Sequence, residues 1–118
     1  MLFPTCAADP AVTALLGTAP VRLFPFGMAP AGVAKPYAVW QTVGGSPENY
    51  LSGVPDVDSL TLQVDVYATT VSSAQAVAAA LRDAIEPVAH VVAWRGESRD
   101  AETGNYRVSF DVDWWIDR

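Results

Sequence analysis

Three carboxylates are the residues best suited to do chemistry in this sequence: Asp65, Asp111 and Asp113. Each lies on the polar side of a segment in which apolar and polar residues alternate, the pattern of a half-buried strand. If the two segments are neighbouring strands, the carboxylates share one surface. Such groups can transfer protons or bind a hard cation, but we favour a solvated sheet face whose charges discourage aggregation. A third interpretation is an acidic surface that faces other subunits or a channel.

Cys6 and His90 are further candidates, as a nucleophile and a base. Such a pair must lie together beside a third, orienting group; the sequence does not predict this, so we interpret both as incidental or structural. The glycines lack the Lys-Ser/Thr ending of a phosphate-binding loop. One cysteine cannot build a zinc site or an internal disulfide. The sequence therefore predicts no catalytic residue, metal or cofactor.

Two features indicate contact with a protein partner. Trp115 follows Asp113 on the polar side of the last predicted strand, where a tryptophan is typical of a covered face or an interface; a strand that twists or ends there is an equal alternative. The stretch from Gly44 to Asp58 is predicted to be a long loop, and such loops are often functional. Its central residues either anchor a partner or fold back onto the domain: Glu48, Asn49, Tyr50 and Leu51.

Composition limits the remaining function classes. The 118 residues are 51% hydrophobic and 17% charged, which predicts one domain over residues 1–118 with its own core. Seven basic residues against thirteen acidic ones give a net charge of −6, which argues against sequence-specific nucleic-acid binding and against anionic membranes. The first residues do not resemble a signal peptide, and the apolar runs are too short to span a bilayer.

The periodicities predict an α+β fold in the order α-β-β-β-α-β-β, with one mostly antiparallel sheet and helices packed on one face. Asp9 caps the first predicted helix, which ends at Gly17, and Pro4 argues against an earlier start. The second helix is predicted from a cap at Ser72 or Ser73 to Glu86. Its buried face would consist of Ala74, Val77, Ala78, Leu81 and Ile85. The predicted strands cover residues 21–24, 37–43, 60–67, 88–97 and 106–114.

Several segments, taken in their order and spacing, resemble the small phage tail-completion family, the tail terminators of long-tailed phages and prophages. The resemblance runs from about residue 9 to residue 116, and Phe3–Cys6 stands where the family has a longer helical lead. The matching stretches are Asp9–Gly17 (DPAVTALLG), Leu23–Gly27 (LFPFG) with Ala29–Pro30, Pro36–Trp40 (PYAVW), Gly45–Asn49 (GSPEN) with Leu51–Gly53 (LSG), Gln63–Ala68 (QVDVYA), Glu102–Gly104 (ETG) and Tyr106–Asp113 (YRVSFDVD).

The resemblance implies a structural virion protein that is not an enzyme. Such proteins form a ring, typically of six copies, on the head-proximal end of the tail tube. The ring stops tube growth and offers a surface to the head–tail connector. The implied partners are further copies of the chain, the tail tube protein and the connector protein, with DNA only as the passing genome. The implied location is the virion tail, after assembly in the host cytoplasm.

Within that frame we hypothesise that one set of residues faces the channel or a subunit contact: Asp65, Asp111, Asp113 and Trp115. The Gly44–Asp58 loop would dock on the tube or on a neighbouring subunit. A head–tail connector adaptor or a tail assembly chaperone is the alternative within the same class. A small enzyme or ligand-binding domain is less favoured, because the sequence shows no convergent set of polar groups that would line a pocket.

Overall fold

A computed structural model of the chain describes residues 2–18, 20–47, 57–99, 101 and 104–117. The strands form one sheet in the order β1-β2-β3-β5-β4, in which β1 and β2 are parallel and all other neighbours are antiparallel. The predicted α+β class with a mostly antiparallel sheet is confirmed. The elements are α1 Leu2–Ala7, α2 Pro10–Leu16, β1 Leu23–Pro25, β2 Tyr37–Pro47, β3 Val57–Ala68, α3 Val71–Ile85, β4 His90–Arg99 and β5 Tyr106–Asp117.

The main helix, α3, packs against β3, β4 and β5 and also contacts α1 and α2. Its predicted apolar face is confirmed, because all five residues named for it are buried. Alanines on this face let the helix lie close to the strands. The predicted cap was wrong: the helix begins two residues earlier, where the Thr70 side chain accepts a hydrogen bond from the Ser73 backbone N–H at 3.1 Å.

The helix α1 precedes the one that the sequence predicted at this end of the chain. Pro4 is compatible with it because the residue lies in the first turn, where backbone N–H groups have no partner within the helix. Leu2 and Cys6, four residues apart, are both buried in the core. The second helix, α2, begins as predicted, with Asp9 accepting hydrogen bonds from the N–H groups of Ala11 and Val12 at 2.9 and 3.3 Å.

The strands β2 and β3 are longer than predicted, so the Gly44–Asp58 segment is not loop at its two ends. Gly44–Pro47 belongs to β2, and Val57 and Asp58 belong to β3. The glycine, serine and proline residues at these strand ends are poor strand formers. The ends nevertheless belong to the sheet, because β3 pairs with β5 along its whole length, from Val57↔Asp117 to Ala68↔Tyr106. Pairing with neighbouring strands outweighs local preference here.

Candidate interaction face

The two central strands, β3 and β5, separate a buried side from a polar side. Leu62, Val64 and Val66 alternate on the helix side with Val108, Phe110 and Val112, and all six are buried. Residues directly opposite each other in an antiparallel pair share a face, so the register places a second set on the other side. We call this set the polar face: Thr61, Gln63, Asp65, Tyr67, Arg107, Ser109, Asp111 and Asp113.

Asp65 is the centre of a hydrogen-bonded cluster on the polar face. Arg107 donates to its Oδ1 from Nη2 at 3.0 Å and from Nε at 3.3 Å. The Gln63 amide lies 3.2 Å from both carboxylate oxygens, and the Ser109 hydroxyl donates to Oδ1. Asp65 is only 7% exposed, although it lies on the side of the sheet away from the helices. Its negative charge is therefore compensated within the sheet by Arg107, whose side chain is 42% exposed.

Two tyrosines extend this cluster towards β2. The rings of Tyr37 and Tyr67, opposite each other in the register, stack with centroids 5.1 Å apart and an interplanar angle of 21°. Burial raises the pKa of Tyr67, the Asp65 charge raises it further, and Arg107 opposes both effects. Tyr67 thus keeps its proton at neutral pH and presents an uncharged ring beside the Asp65 cluster.

The other two predicted carboxylates lie further along the same face. Asp113 is opposite Thr61, whose hydroxyl donates to Asp113 Oδ1 at 2.8 Å. Asp111 is opposite Gln63 and is 6% exposed, whereas Asp113 is half-buried. The register thus brings Asp65, Asp111 and Asp113 onto one face. Among the described residues, no group of acidic, histidine or cysteine side chains is arranged to hold a metal ion.

The remaining predicted residues differ in what the structure says of them. The backbone of Trp115 pairs with Ser59 in the sheet, but its side chain lies outside the described part of the chain. The loop residues Glu48, Asn49, Tyr50 and Leu51 also lie outside it. Since the structure describes 2–18, 20–47, 57–99, 101 and 104–117, these residues add no geometry to the site.

Cys6 and His90 do not form a nucleophile–base site. Cys6 is fully buried in the core, and its pKa is raised to about 12, chiefly by burial and then by the nearby Asp9 charge. A thiol in this state is neither ionised nor accessible. His90 is exposed at the first position of β4, where the register places it opposite Asp113.

An open hollow of about 270 Å³ lies beside the Asp65 cluster. Residues of three strands line it: Gln63, Gly96, Glu97, Ser98, Arg107 and Ser109. Alternation places Gln63, Arg107 and Ser109 on the polar side of predicted strands, but it does not predict their contact with Asp65. The register between β3 and β5 brings them together, and alternation within one strand does not reveal that register.

In the part of the chain that the structure describes, no helix is both long and apolar enough to cross a membrane. The sequence model of the family "Tail completion protein gp17" matches residues 1–117. The chain therefore belongs to this tail-completion family and is a structural protein of the phage-tail type.

A solved structure supports the same fold. A chain of the "Virion of native gene transfer agent (GTA) particle" superposes with a TM-score of 0.75 at 17% sequence identity. The match covers 99% of this chain and 92% of the other. None of the curated proteins compared with the chain matches it.

Proposed function

We propose that the chain is a tail terminator: several copies form a ring on the head-proximal end of the tail tube, end its polymerisation and present the head-joining surface. The observation that carries this proposal is the family match over residues 1–117. A rigid sheet with helices on one side supplies different patches at its different sides and edges, as a heterologous ring contact needs. Six copies, the tube protein and the connector protein are the proposed partners.

Loss of the gene tests this proposal directly. A strain that lacks it should make overlong tails and unjoined heads, and the intact gene supplied in trans should restore both tail length and joining. Electron microscopy of the particles measures both properties. Finished tails of normal length beside unjoined heads would contradict termination and would instead favour a connector adaptor on the head side. A tail assembly chaperone would be absent from purified particles.

We also propose that the polar face lines the channel through which the genome passes. The negative charges of Asp111 and Asp113 would repel DNA phosphates and let the duplex slide without binding. Asp113→Lys is the sharper variant because Asp111 is buried and a lysine there would disturb the sheet. The variant should assemble tails but eject DNA more slowly. Asp83→Lys, on the exposed side of α3, is the matched control. Unchanged ejection by Asp113→Lys would contradict the channel role.

A further inference from the structure

One row of side chains crosses the polar face from strand to strand. We call it the Arg107 row, and β2, β3, β5 and β4 contribute one residue each: Tyr37, Tyr67, Arg107 and Ser98. Successive members are opposite each other in the register, and the first three are half-buried while Ser98 is exposed. Tyrosine and arginine are enriched among the residues that dominate binding energy at protein interfaces. The row lies at one end of the polar face, about 20 Å along β5 from Asp113.

The guanidinium of Arg107 is held in place by one of its edges and open at the other. Nε donates to Asp65 Oδ1 at 3.3 Å and to Ser109 Oγ at 3.1 Å, and Nη2 donates to Asp65 Oδ1 at 3.0 Å. The second edge consists of Nη1 and the other N–H of Nη2, and it has no acceptor among the described residues. Because the guanidinium plane is already fixed, a ligand at the open edge orders little further side-chain freedom.

The hollow of about 270 Å³ beside the Asp65 cluster gives a ligand access to Arg107. Gly96 lines its β4 side, and a Cβ at that position would meet nothing within 4 Å. The exposed hydroxyl of Ser98 supplies a further donor. Glu97 also lines the hollow, but the register places it on the helix side, where its Oε1 accepts a hydrogen bond from Gln75 at 3.0 Å. The polar side of the hollow therefore offers the donors of Arg107 and Ser98 to an acceptor.

A carboxylate is the ligand that suits this arrangement. Its two oxygens match the two parallel N–H groups along one edge of a guanidinium. The hollow is smaller than the clefts of about 300–1,000 Å³ that enclose small-molecule ligands, so it fits a single side chain. The stacked rings of Tyr37 and Tyr67 add an apolar surface for the residues that flank the carboxylate. DNA phosphates suit the site less, because Asp65 already offsets the charge of Arg107.

A second copy of the chain is a poor source of that carboxylate. In the part of the chain that the structure describes, the acidic side chains that are exposed or half-buried already have a partner: Asp9, Asp83, Glu86, Glu97 and Asp113. A second copy would have to give up one of these contacts in order to make the new one. An acidic segment of a different protein has no such cost.

We infer that the Arg107 row binds an aspartate or glutamate side chain of another virion protein. The carboxylate enters the hollow and accepts hydrogen bonds from the open edge of Arg107 and from Ser98, while the tyrosine rings pack against its neighbours. This inference goes beyond the proposed function, because neither termination nor the channel role assigns a ligand to Arg107. It is also independent of the channel role, which concerns Asp111 and Asp113 further along the face.

Photo-cross-linking in assembled particles tests the partner. p-Benzoylphenylalanine replaces Ser98 in one strain and Ser72, an exposed residue in the first turn of α3, in the matched control. Irradiation of the Ser98 strain should yield an adduct to a different virion protein through a peptide that contains aspartate or glutamate. The Ser72 strain should not yield this adduct. An adduct between two copies of the chain, to DNA, or to a peptide without a carboxylate would overturn the inference.

Titration of the purified chain tests the chemistry of the site. The probe is N-acetyl-leucyl-glutamic acid α-amide, and the Gly96 amide resonance in ¹H–¹⁵N spectra follows its binding. The probe should shift this resonance saturably, and the uncharged N-acetyl-leucyl-glutamine amide should bind at least about tenfold more weakly. Arg107→Lys keeps the charge beside Asp65 but loses the planar fork, and it should weaken the probe about tenfold. Ser98→Tyr, which fills the hollow, should do the same, whereas Ser72→Tyr should not.

The titration has outcomes that would overturn the inference. Equal binding of the two dipeptides would remove the role of the carboxylate. Dimethyl phosphate that binds as tightly as the acidic dipeptide would assign the site to phosphate groups. Unchanged binding by Ser98→Tyr would place the ligand outside the hollow, and this variant decides the question if circular dichroism shows that Arg107→Lys does not fold. Tail length in the strain without the gene tests the terminator role alone, so either proposal can fail without the other.

Discussion

The Asp65 carboxylate has side-chain partners on both of the central strands and is nearly inaccessible to water. Hydrogen bonds to a charged, buried group contribute more than exposed ones. Asp65→Asn should therefore lower the free energy of unfolding by about 1–3 kcal/mol, measured by urea denaturation. Asp83→Asn is the control, since its side chain is 71% exposed and lies 3.6 Å from Arg82, and it should cost about 0–0.5 kcal/mol. Equal losses would contradict the role assigned to the cluster.

Cys6 gives the protein a pH dependence on the alkaline side. Its pKa is raised from 9.0 to about 12 on folding, so between these values the unfolded chain binds fewer protons than the folded one. Stability should therefore fall as the pH rises through this window and should be unaffected by this group below pH 9. Urea unfolding at pH 8 and pH 10.5 measures the change, and Cys6→Ala should remove this contribution. An equal decrease in the alanine variant would assign the effect to other groups.

At the scale of elements, the end of α2 depends on Gly17 and Arg22. Gly17 has a φ of +82°, and a Cβ there would lie 2.9 Å from Arg22 Nη1. That guanidinium is held in place, because it donates to the Pro36 carbonyl from Nε at 2.9 Å and to the Leu15 carbonyl from Nη2 at 3.0 Å. Arg22 thus joins the last turn of α2 to the start of β2.

Gly17→Ala should consequently lower the melting temperature more than Gly27→Ala. Gly27 has a similar φ of +79° but nothing within 4 Å of the added methyl group, so its substitution costs about 1–2 kcal/mol from the backbone alone. At Gly17 the crowding against Arg22 adds to that cost. Differential scanning calorimetry of the two variants measures the difference, and equal shifts would contradict the close contact.

The small residues of α3 set its distance from the sheet. Ala78 is fully buried on the side of α3 that packs against the sheet, whereas Ala76, two residues earlier, is exposed. Ala78→Leu should destabilise the protein by about 1–3 kcal/mol, because the helix would have to move away from the strands. Ala76→Leu should leave the free energy of unfolding within about 0.5 kcal/mol of the wild type. Chemical denaturation distinguishes the two, and a neutral Ala78→Leu would indicate space beneath the helix.

The elements that the sequence predicts well are those whose residues alternate or repeat clearly. β3, β5 and the buried face of α3 follow from periodicity alone, because each buries one side against the same core. The α1 helix and the ends of β2 and β3 do not follow from periodicity. They contain proline, glycine or serine, which disfavour these structures locally, and tertiary contacts stabilise them. Asp65 and Arg107 lie 42 positions apart in the sequence. They meet because of the register between β3 and β5, and local patterns do not encode that register.

At the scale of the whole molecule, the proposed docking loop can be tested without disturbing the core. Deleting Glu48–Leu51 removes residues between the paired ends of β2 and β3, and the ten-residue register of that pair should hold the sheet together. The shortened chain should keep its melting temperature to within a few degrees yet fail to cap tails. Tail length by electron microscopy is the measurement. Normal tails and joined heads would exclude the loop from docking.

The order of strands in the sheet also governs when the chain can fold during synthesis. β5 lies between β3 and β4, yet it is synthesised after both of them. Until then β3 and β4 have no shared neighbour, and the apolar side of α3 covers an incomplete sheet. Bringing together residues some 50 positions apart closes a long loop, which slows folding relative to locally connected folds. Nascent chains stalled before residue 106 should therefore be protease-sensitive and depend on chaperones.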